Sequence, residues 1–320
     1  MKRKLIKQGI GALTITLPKE WISKYGLRAG NEINLEEYEK TLLLKTEGGS
    51  SVLRKTIIDI DNLSQTLIWR YLMSAYRLGY DEITIKFSNI EKNYDIKLSS
   101  LGVLEKKMRM NTIEVIQDIA NRFIGLEIID QGKNYCVIKY LGEISEKEFD
   151  ITLRRIFLLL LSMAEESLSG LNKKTKNVKY VCNIDVNIDK FTDFCLRVLN
   201  KNGYKKLNKT NSIYSIILLL EFIGDEYKKI VLHVCNSKTK FDHKLINIYA
   251  DINKLLNLFY ELFYKFNEKM AAEIYDLDEE LTNKINYLKL NGEVKEILHH
   301  LKKIKRYITN LMQLRIDIEV

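Results

Sequence analysis

Two pairs of carboxylates in the second half of this sequence have the spacing of metal ligands. Asp185 and Asp189 lie four residues apart in "DVNID", and Glu221 and Asp225 lie four residues apart in "EFIGD". In a helix this spacing places both carboxylates of a pair on one face, where they repel each other unless a cation compensates. If the two helices pack antiparallel, the four oxygens can converge on a divalent metal or iron, such as Mg²⁺, Zn²⁺ or Fe. Solvated helix faces also carry such pairs, and the spacing alone leaves that alternative open.

A second group of charged residues lies at the amino terminus. The formal net charge is +9, and residues 1–24 carry six basic residues against one acid, Glu20. In a dimer, two copies of this segment would present a positive face to DNA phosphates, with polar side chains available for base edges. Lysines on an exposed edge strand also protect against aggregation, which is the alternative explanation. The predicted DNA-binding residues are Lys2, Arg3, Lys4, Lys7, Gln8, Thr14 and Lys19.

Several other kinds of chemistry have no support in the sequence. The nucleotide-binding and hydrolase motifs GxGxxG after a strand, GxxxxGK[ST], HExxH and GxSxG are missing, so we predict that the protein is not an enzyme. The four cysteines have no CxxC spacing and are expected to be reduced thiols. The longest apolar run, Ile156–Ala164, is about half of the ~20 residues that cross a bilayer. We therefore expect a cytoplasmic protein without membrane insertion.

The amino-terminal elements are short. The chain's one proline, Pro18, follows the alternating run "ALTITL" and precedes "KEWISKYG". Proline is tolerated at the first position of a helix, so we predict a strand that ends at Leu17 and a helix over Pro18–Tyr25, capped by Gly26. Two more strands follow. Fifty residues with strands this short cannot close a core alone, and a dimer that shares the sheet is expected.

The rest of the chain divides into two further regions. Thr46–Ser51 is the best candidate for a linker. The element order βαβ–αββ beyond it predicts a small α+β sandwich with an insertion at Ser88–Met110. The first helix of this sandwich is predicted to have Asp61 as its N-cap. From Glu146 onward the pattern is helical, which predicts two three-helix units. The predicted domains of this multidomain α+β protein are residues 1–50, 51–145 and 146–320, and the predicted helices of the last domain are 147–170, 183–201, 211–236, 241–270, 272–290 and 293–317.

The amino-terminal segment resembles a known DNA-binding family. "ITLPKEWISKYGLRAGNEI" is similar to the swapped-hairpin domain of the AbrB/SpoVT type, whose pattern is a strand, a proline that opens a short helix, and "LGL..GD.V". Asn31 stands where that family usually has aspartate. The resemblance implies a swapped-hairpin β-barrel made by two interlaced chains that binds DNA.

The helical region resembles a second family. "LLLEFIGDEYKKI" is similar to the "ERIGDHAVNI" signature of PhoU-type phosphate-uptake regulators, and the middle segments "LMSAYRLGYDEITIKF" and "IANRFIGLEIID" resemble archaeal proteins that join an AbrB-like amino terminus to a PhoU carboxyl terminus. The resemblance implies a PhoU-like bundle whose metal ligands are Asp185, Asp189, Glu221 and Asp225.

The last helix departs from that pattern. Lys302 and Arg306 stand where acidic residues are expected, so the second metal site is expected to be lost. "DLDEE" at Asp276–Glu280 is at best a weak substitute. The cations of this helix are expected to form either a solvated face or an anion- or partner-binding face.

These observations predict a dimeric DNA-binding transcription regulator of phosphate uptake, with a metal-binding helical sensor and a middle domain that relays its state. The alternative is a signalling adaptor that does not bind DNA and docks on a phosphate transporter or sensor. Salt-dependent binding to DNA separates the two.

Overall fold

The structure is a computed structural model whose described residues fall into two compact modules. The amino-terminal module is Met1–Arg54 and the main module is Lys55–Val320. Residues 47–51 of the expected linker lie outside the described part of the chain. The described residues are 1–38, 40–46, 53–97, 107–142, 145–173, 178–237, 239, 241–287 and 292–320.

The amino-terminal module consists of two hairpins and one short helix. Its elements are β1 (Ile6–Gln8), β2 (Ala12–Thr14), α1 (Lys19–Lys24), β3 (Ile33–Tyr38) and β4 (Thr41–Thr46). The antiparallel pairs β1–β2 and β3–β4 form separate two-stranded sheets. The described residues of this module therefore form no closed barrel, and the interlaced barrel, which needs a second chain, stays a prediction.

The switch from strand to helix lies close to its predicted position. Pro18 is the N-cap of α1, so the helix begins at Lys19, one residue later than predicted, and the Pro18 carbonyl accepts a hydrogen bond from the Ile22 N–H at 3.0 Å. Strand β2 ends at Thr14 rather than at Leu17. Gly26 follows the helix with φ +61°, a conformation that glycine adopts without strain.

No side chain whose burial is described in the amino-terminal module is fully buried. Leu5, Ile6, Ile10, Leu13 and Leu35 are all more than half exposed. Burial of apolar surface is the main favourable contribution to folding, so a single copy of this module gains little stability from it. This exposure is what the expected shared sheet would require, and the dimer itself stays a prediction.

The main module begins with an α/β layer in the predicted order βαβ–αββ. Its elements are β5 (Lys55–Asp59), α2 (Gln65–Arg77), β6 (Glu82–Lys86), β7 (Tyr94–Lys97), β8 (Lys107–Met110), α3 (Thr112–Ala120), β9 (Leu126–Gln131) and β10 (Tyr135–Tyr140). The sheet order is β5-β6-β10-β9, with β5 parallel to β6 and the other pairs antiparallel. The hairpin β7–β8 lies within the predicted insertion.

The helices and the sheet of this layer share an apolar core. Ile68 and Leu72 of α2 and Ile116 of α3 are buried with Ile83 and Ile85 of β6.

The N-cap predicted for α2 was wrong. The side chain of Ser64 accepts the hydrogen bond from the Leu67 N–H. Asp61 instead accepts hydrogen bonds from the backbone and hydroxyl of Ser88, at 2.6 and 2.9 Å.

Six long helices complete the main module. They are α4 (Glu146–Lys173), α5 (Val178–Asn202), α6 (Thr210–Asn236), α7 (His243–Tyr264), α8 (Glu268–Asn286) and α9 (Gly292–Glu319). Helices α4, α5 and α6 pack against one another, as do α7, α8 and α9. The two three-helix units meet through α4 against α7 and α6 against α9, so equivalent helices of the two units are in contact.

The predicted helix 241–270 is divided in the structure. Helix α7 ends at Tyr264, and Asn267 begins α8 by accepting hydrogen bonds from the backbone N–H groups of Lys269 and Met270. Asparagine is a favourable N-cap because its short side chain satisfies donors that have no partner inside the helix.

The helical core is continuous, and it contains buried residues from all six helices. Within the described residues, no helix is long and apolar enough to cross a membrane.

Candidate functional site

The face between α5 and α6 carries the charged residues that form the candidate site. Helix α5 contributes Asp185, Asp189 and Asp193 at four-residue intervals, and helix α6 contributes Glu221 and Asp225. The two helices pack directly against each other. The four predicted ligands come close enough for Asp185, Glu221 and Asp225 all to influence the pKa of Asp189. We call these five acids, together with Lys228 and Arg77, the charge ladder.

Lys228 joins the two helices at one end of the charge ladder. Its Nζ donates to Oδ2 of Asp185 at 2.5 Å and to Oδ1 of Asp225 at 3.0 Å. Burial lowers the pKa of Lys228, but the attraction and hydrogen bonds of the two carboxylates outweigh burial and leave this pKa raised. Burial likewise raises the pKa of Asp185, an effect that Lys228 opposes. In the structure the ammonium therefore compensates this pair of acids.

Arg77 performs the same role at the other end and comes from the last turn of α2. Its Nε donates to Oδ1 of Asp193, and its Nη2 lies 3.7 Å from Oε2 of Glu221. Burial raises the pKa of Asp193, and Arg77 opposes this effect. Burial also raises the pKa of Glu221 to about 6, again against the influence of Arg77. The charge ladder thus connects the α/β layer to the helices.

Asp189 lies between these two compensated ends. Within the described part of the chain its carboxylate has no hydrogen bond and no ion pair. Burial, followed by repulsion from Asp185 and Glu221, raises the pKa of Asp189 to about 8. Near neutral pH this carboxyl is therefore mostly protonated. One further positive charge at this position would replace that proton.

The charge ladder, as it is arranged, does not fit a metal ion. No group of three or more His, Cys, Asp or Glu residues among the described residues could hold one. The ammonium of Lys228 lies between Asp185 and Asp225, two of the four predicted ligands. A metal that used both carboxylates would have to displace this cation. The ligand set Asp185, Asp189, Glu221 and Asp225 remains a prediction.

Three members of the charge ladder were not predicted from the sequence. Lys228 follows Asp225 by three residues in "DEYK", a spacing that places both on one helix face. Asp193 continues the four-residue spacing of Asp185 and Asp189. These two could have been found from the spacing. Arg77 could not, because no local pattern connects α2 to α5.

The corresponding face between α8 and α9 is a basic groove. A cavity of about 440 Å³ is lined by Lys302, Lys305 and Arg306 of α9 and by α8 residues including Asp278. Lys305 pairs with Asp278 at 2.7 Å, and the Thr309 hydroxyl donates to the same carboxylate at 2.9 Å. Within the described chain, Lys302 and Arg306 have no ion-pair partner. The acid at position 278 is thus already compensated.

The predicted DNA-binding residues lie on the surface of the amino-terminal module. Lys2, Arg3 and Lys4 precede β1, and none of the five predicted cations pairs with an acid among the described residues. The Thr14 hydroxyl donates to the Ile6 carbonyl at 3.3 Å, so it already has a partner within the hairpin. All seven predicted residues are exposed: Lys2, Arg3, Lys4, Lys7, Gln8, Thr14 and Lys19.

Comparisons with known proteins give limited information. No family model matches the sequence, and no curated protein matches it. Among solved structures, the chain is similar to the phosphate transport system regulatory protein PhoU from Streptococcus pneumoniae. The identity is 20%, the TM-score is 0.48, and the match covers 54% of this chain and 94% of that chain. Similarity at this level is a likeness in chain path over part of the molecule, and it assigns no role to any residue. The resemblance of the amino-terminal segment to the AbrB/SpoVT type stays a prediction.

Proposed function

We propose that this chain is a signalling adaptor that communicates with a phosphate transporter or its sensor, and that the charge ladder is its responsive element. The observation that carries the proposal is the position of Asp189, which has no ion-pair partner among the described residues and lies between two compensated pairs. Phosphate as the signal is supported by the resemblance of "LLLEFIGDEYKKI" to the PhoU signature.

The contacts of the charge ladder support a role in communication between parts of the main module. Arg77 connects the end of α2 to acids on both α5 and α6. The fully buried Arg197 of α5 adds hydrogen bonds to the carbonyls of Tyr76 and Tyr80, at 2.9 and 2.7 Å. A change of charge between α5 and α6 therefore acts directly on groups that hold the α/β layer.

A change of charge at Asp189 can arise in two ways. The carboxyl can lose its proton as pH rises towards 8, or a divalent cation can enter if Lys228 moves away. In the second route a divalent cation binds the predicted ligands after Lys228 has left them. Removal of the Lys228 ammonium should favour this binding, because a competing positive charge is lost.

Binding to the expected partner tests this proposal. The ATP-hydrolysing subunit of the phosphate transporter and the phosphate sensor from the same genome would each be immobilised, and the full chain would be titrated over them. We expect saturable binding to one of them, changed at least about fivefold, or ~1 kcal/mol, by Asp189→Lys. Glu280→Lys, an exposed change on α8, is the matched control and should leave binding unchanged. A failure to bind either partner would remove the adaptor function.

DNA binding by a homodimer is the second candidate, and the exposed cations of the amino-terminal module favour it. Lys4 and Lys7 have no acidic partner among the described residues, so both are available to phosphates. Fluorescence anisotropy with the DNA upstream of the gene, at two salt concentrations, tests this candidate. Affinity that falls steeply with salt and is lost in the Lys4→Ala, Lys7→Ala double variant would support it. Equal, weak binding to unrelated DNA would argue against a sequence-specific regulator.

A further inference from the structure

A second cavity lies at the end of the helical bundle, away from the charge ladder. Its volume is about 460 Å³, and its walls come from α4, α6, α7, α9 and the connection between α5 and α6. Sites for small molecules have volumes of roughly 300–1,000 Å³ and combine apolar walls with a few polar groups. None of the lining residues belongs to the charge ladder, so a ligand site in this cavity does not depend on the proposed function.

Among the described residues, the cavity contains one cation that no acid neutralises. Lys205 pairs with Asp150 at 2.5 Å, and the largely buried Arg315 pairs with Glu319 at 2.8 Å. Arg154, in contrast, has no acidic partner in the described part of the chain and lies 5.8 Å from the ring centre of Tyr264. Its guanidinium is therefore available to an anion, for which it offers several hydrogen-bond donors in one plane.

Arg315, which also lines the cavity, is held in place. Its Nε donates to the Phe263 carbonyl at 3.2 Å, and its guanidinium lies over the Phe266 ring at 4.8 Å. An arginine held in this way helps to fix the shape of the cavity wall.

Three of the walls are aromatic. Tyr204, Phe263 and Tyr264 line the cavity. They are supported from behind, because Phe149 packs on Tyr204 at 6.0 Å and Phe157 packs on Phe263 at 5.0 Å between ring centres. Aromatic walls of this kind can pack favourably against another ring.

The tyrosine hydroxyls add hydrogen-bonding capacity. Neither Tyr204 nor Tyr264 donates its hydroxyl hydrogen to a described residue. Burial raises the pKa of both phenols, so both remain protonated donors near neutral pH.

We propose that this cavity binds a small anion that carries an aromatic ring, the class to which nucleoside monophosphates belong. The anionic group pairs with Arg154, and the ring lies against the aromatic walls. Each half of such a ligand meets a matching part of the cavity, so neither half alone is sufficient for full affinity.

Calorimetric titration of the full chain with AMP tests the proposal. We expect AMP to bind more tightly than either adenosine or inorganic phosphate. Arg154→Gln should weaken AMP binding by about tenfold or more, because a charge-assisted hydrogen bond to the anion is lost. Arg155→Gln is the matched control: this residue is the exposed neighbour of Arg154 on the same helix, does not line the cavity, and its change should leave binding unaltered.

Three results would overturn the proposal. They are no binding of AMP up to millimolar concentration, equal affinity of wild type and Arg154→Gln, and phosphate affinity equal to that of AMP. Tyr264→Leu provides a second variant: it should weaken AMP binding but leave the weak binding of phosphate unchanged. Circular dichroism of each variant confirms that it is folded.

Discussion

The two three-helix units place opposite charges on equivalent helix pairs. Between α5 and α6, Lys228 and Arg77 pair with four of the five carboxylates. Between α8 and α9, Asp278 pairs with Lys305 in a groove that Lys302 and Arg306 also line. Each pair keeps one lysine–aspartate contact between its helices, Lys228 to Asp185 in the first and Lys305 to Asp278 in the second. The helix packing depends on the shared apolar core, so the polar faces are free to differ in charge.

The two pairs also differ in burial. The side chains of Asp185 and Asp193 in the first pair are only 6% and 4% exposed. The side chain of Asp278 in the second pair is 19% exposed. Charges that are more deeply buried depend more strongly on their partners, because water compensates less when a partner is lost. Equivalent substitutions in the two pairs should therefore have unequal effects.

The largest expected effect is the loss of the lysine in the first pair. Lys228→Met leaves the buried Asp185 without its ammonium partner and should destabilise the main module by about 3 kcal/mol at neutral pH. Lys305→Met, the equivalent change in the second pair, should cost less, about 1–2 kcal/mol, because the carboxylate that it leaves behind keeps more contact with water. Urea unfolding followed by the helical circular dichroism signal measures both. Equal losses would show that the two pairs do not differ as described.

An intermediate effect is expected at Asp189. Because its folded-state pKa is raised to about 8, ionisation of this carboxyl weakens the fold. The penalty is absent below the unfolded-state pKa of about 4 and grows as pH rises towards 8. Asp189→Asn removes the penalty and should stabilise the main module by about 2–3 kcal/mol near pH 6, two units above the unfolded-state pKa, with little effect near pH 4.

Asp278→Asn is the control for this prediction. In the second pair the same change removes the partner of Lys305, so it should destabilise the main module by about 1–2 kcal/mol at the higher pH. Thermal unfolding at both pH values distinguishes stabilisation by Asp189→Asn from destabilisation by Asp278→Asn. Destabilisation by Asp189→Asn at the higher pH would contradict the position assigned to this acid.

The smallest expected effect concerns anions. The groove of Lys302 and Arg306 should attract phosphate, whereas the charge ladder should not. Added phosphate should therefore raise the melting temperature of the wild type slightly, and Arg306→Gln should reduce that rise. Arg155→Gln, which removes the same charge elsewhere, should not. A rise that survives Arg306→Gln unchanged would assign the effect to a different surface.

Local patterns predicted much of the main module because its elements are long and their apolar residues repeat regularly. The six helices and the order βαβ–αββ follow from that repetition. The break at Asn267 was missed because the apolar pattern continues across it. Arg77 was missed because its partner Asp193 is far away in the sequence, and only the folded chain brings them together.

The amino-terminal module illustrates a different limit. Its hairpins follow from glycine turns and alternating residues such as those around Leu13. Its stability depends on what covers the exposed apolar side chains, and a single chain does not contain that information. The expected dimer and its DNA contacts therefore depend on resemblance more than on local pattern.

The proposed role of the charge ladder depends above all on Asp189 being a protonated acid between two compensated pairs. Carbon-13 NMR of the full chain with labelled aspartate carboxyls, titrated across pH, tests this claim most directly, with Asp189→Asn to assign the signal. We predict one carboxyl that titrates near pH 8 and whose signal is missing from the variant. An unperturbed aspartate titrates at about pH 4. If the signal assigned to Asp189 titrates there, the charge ladder does not act as described.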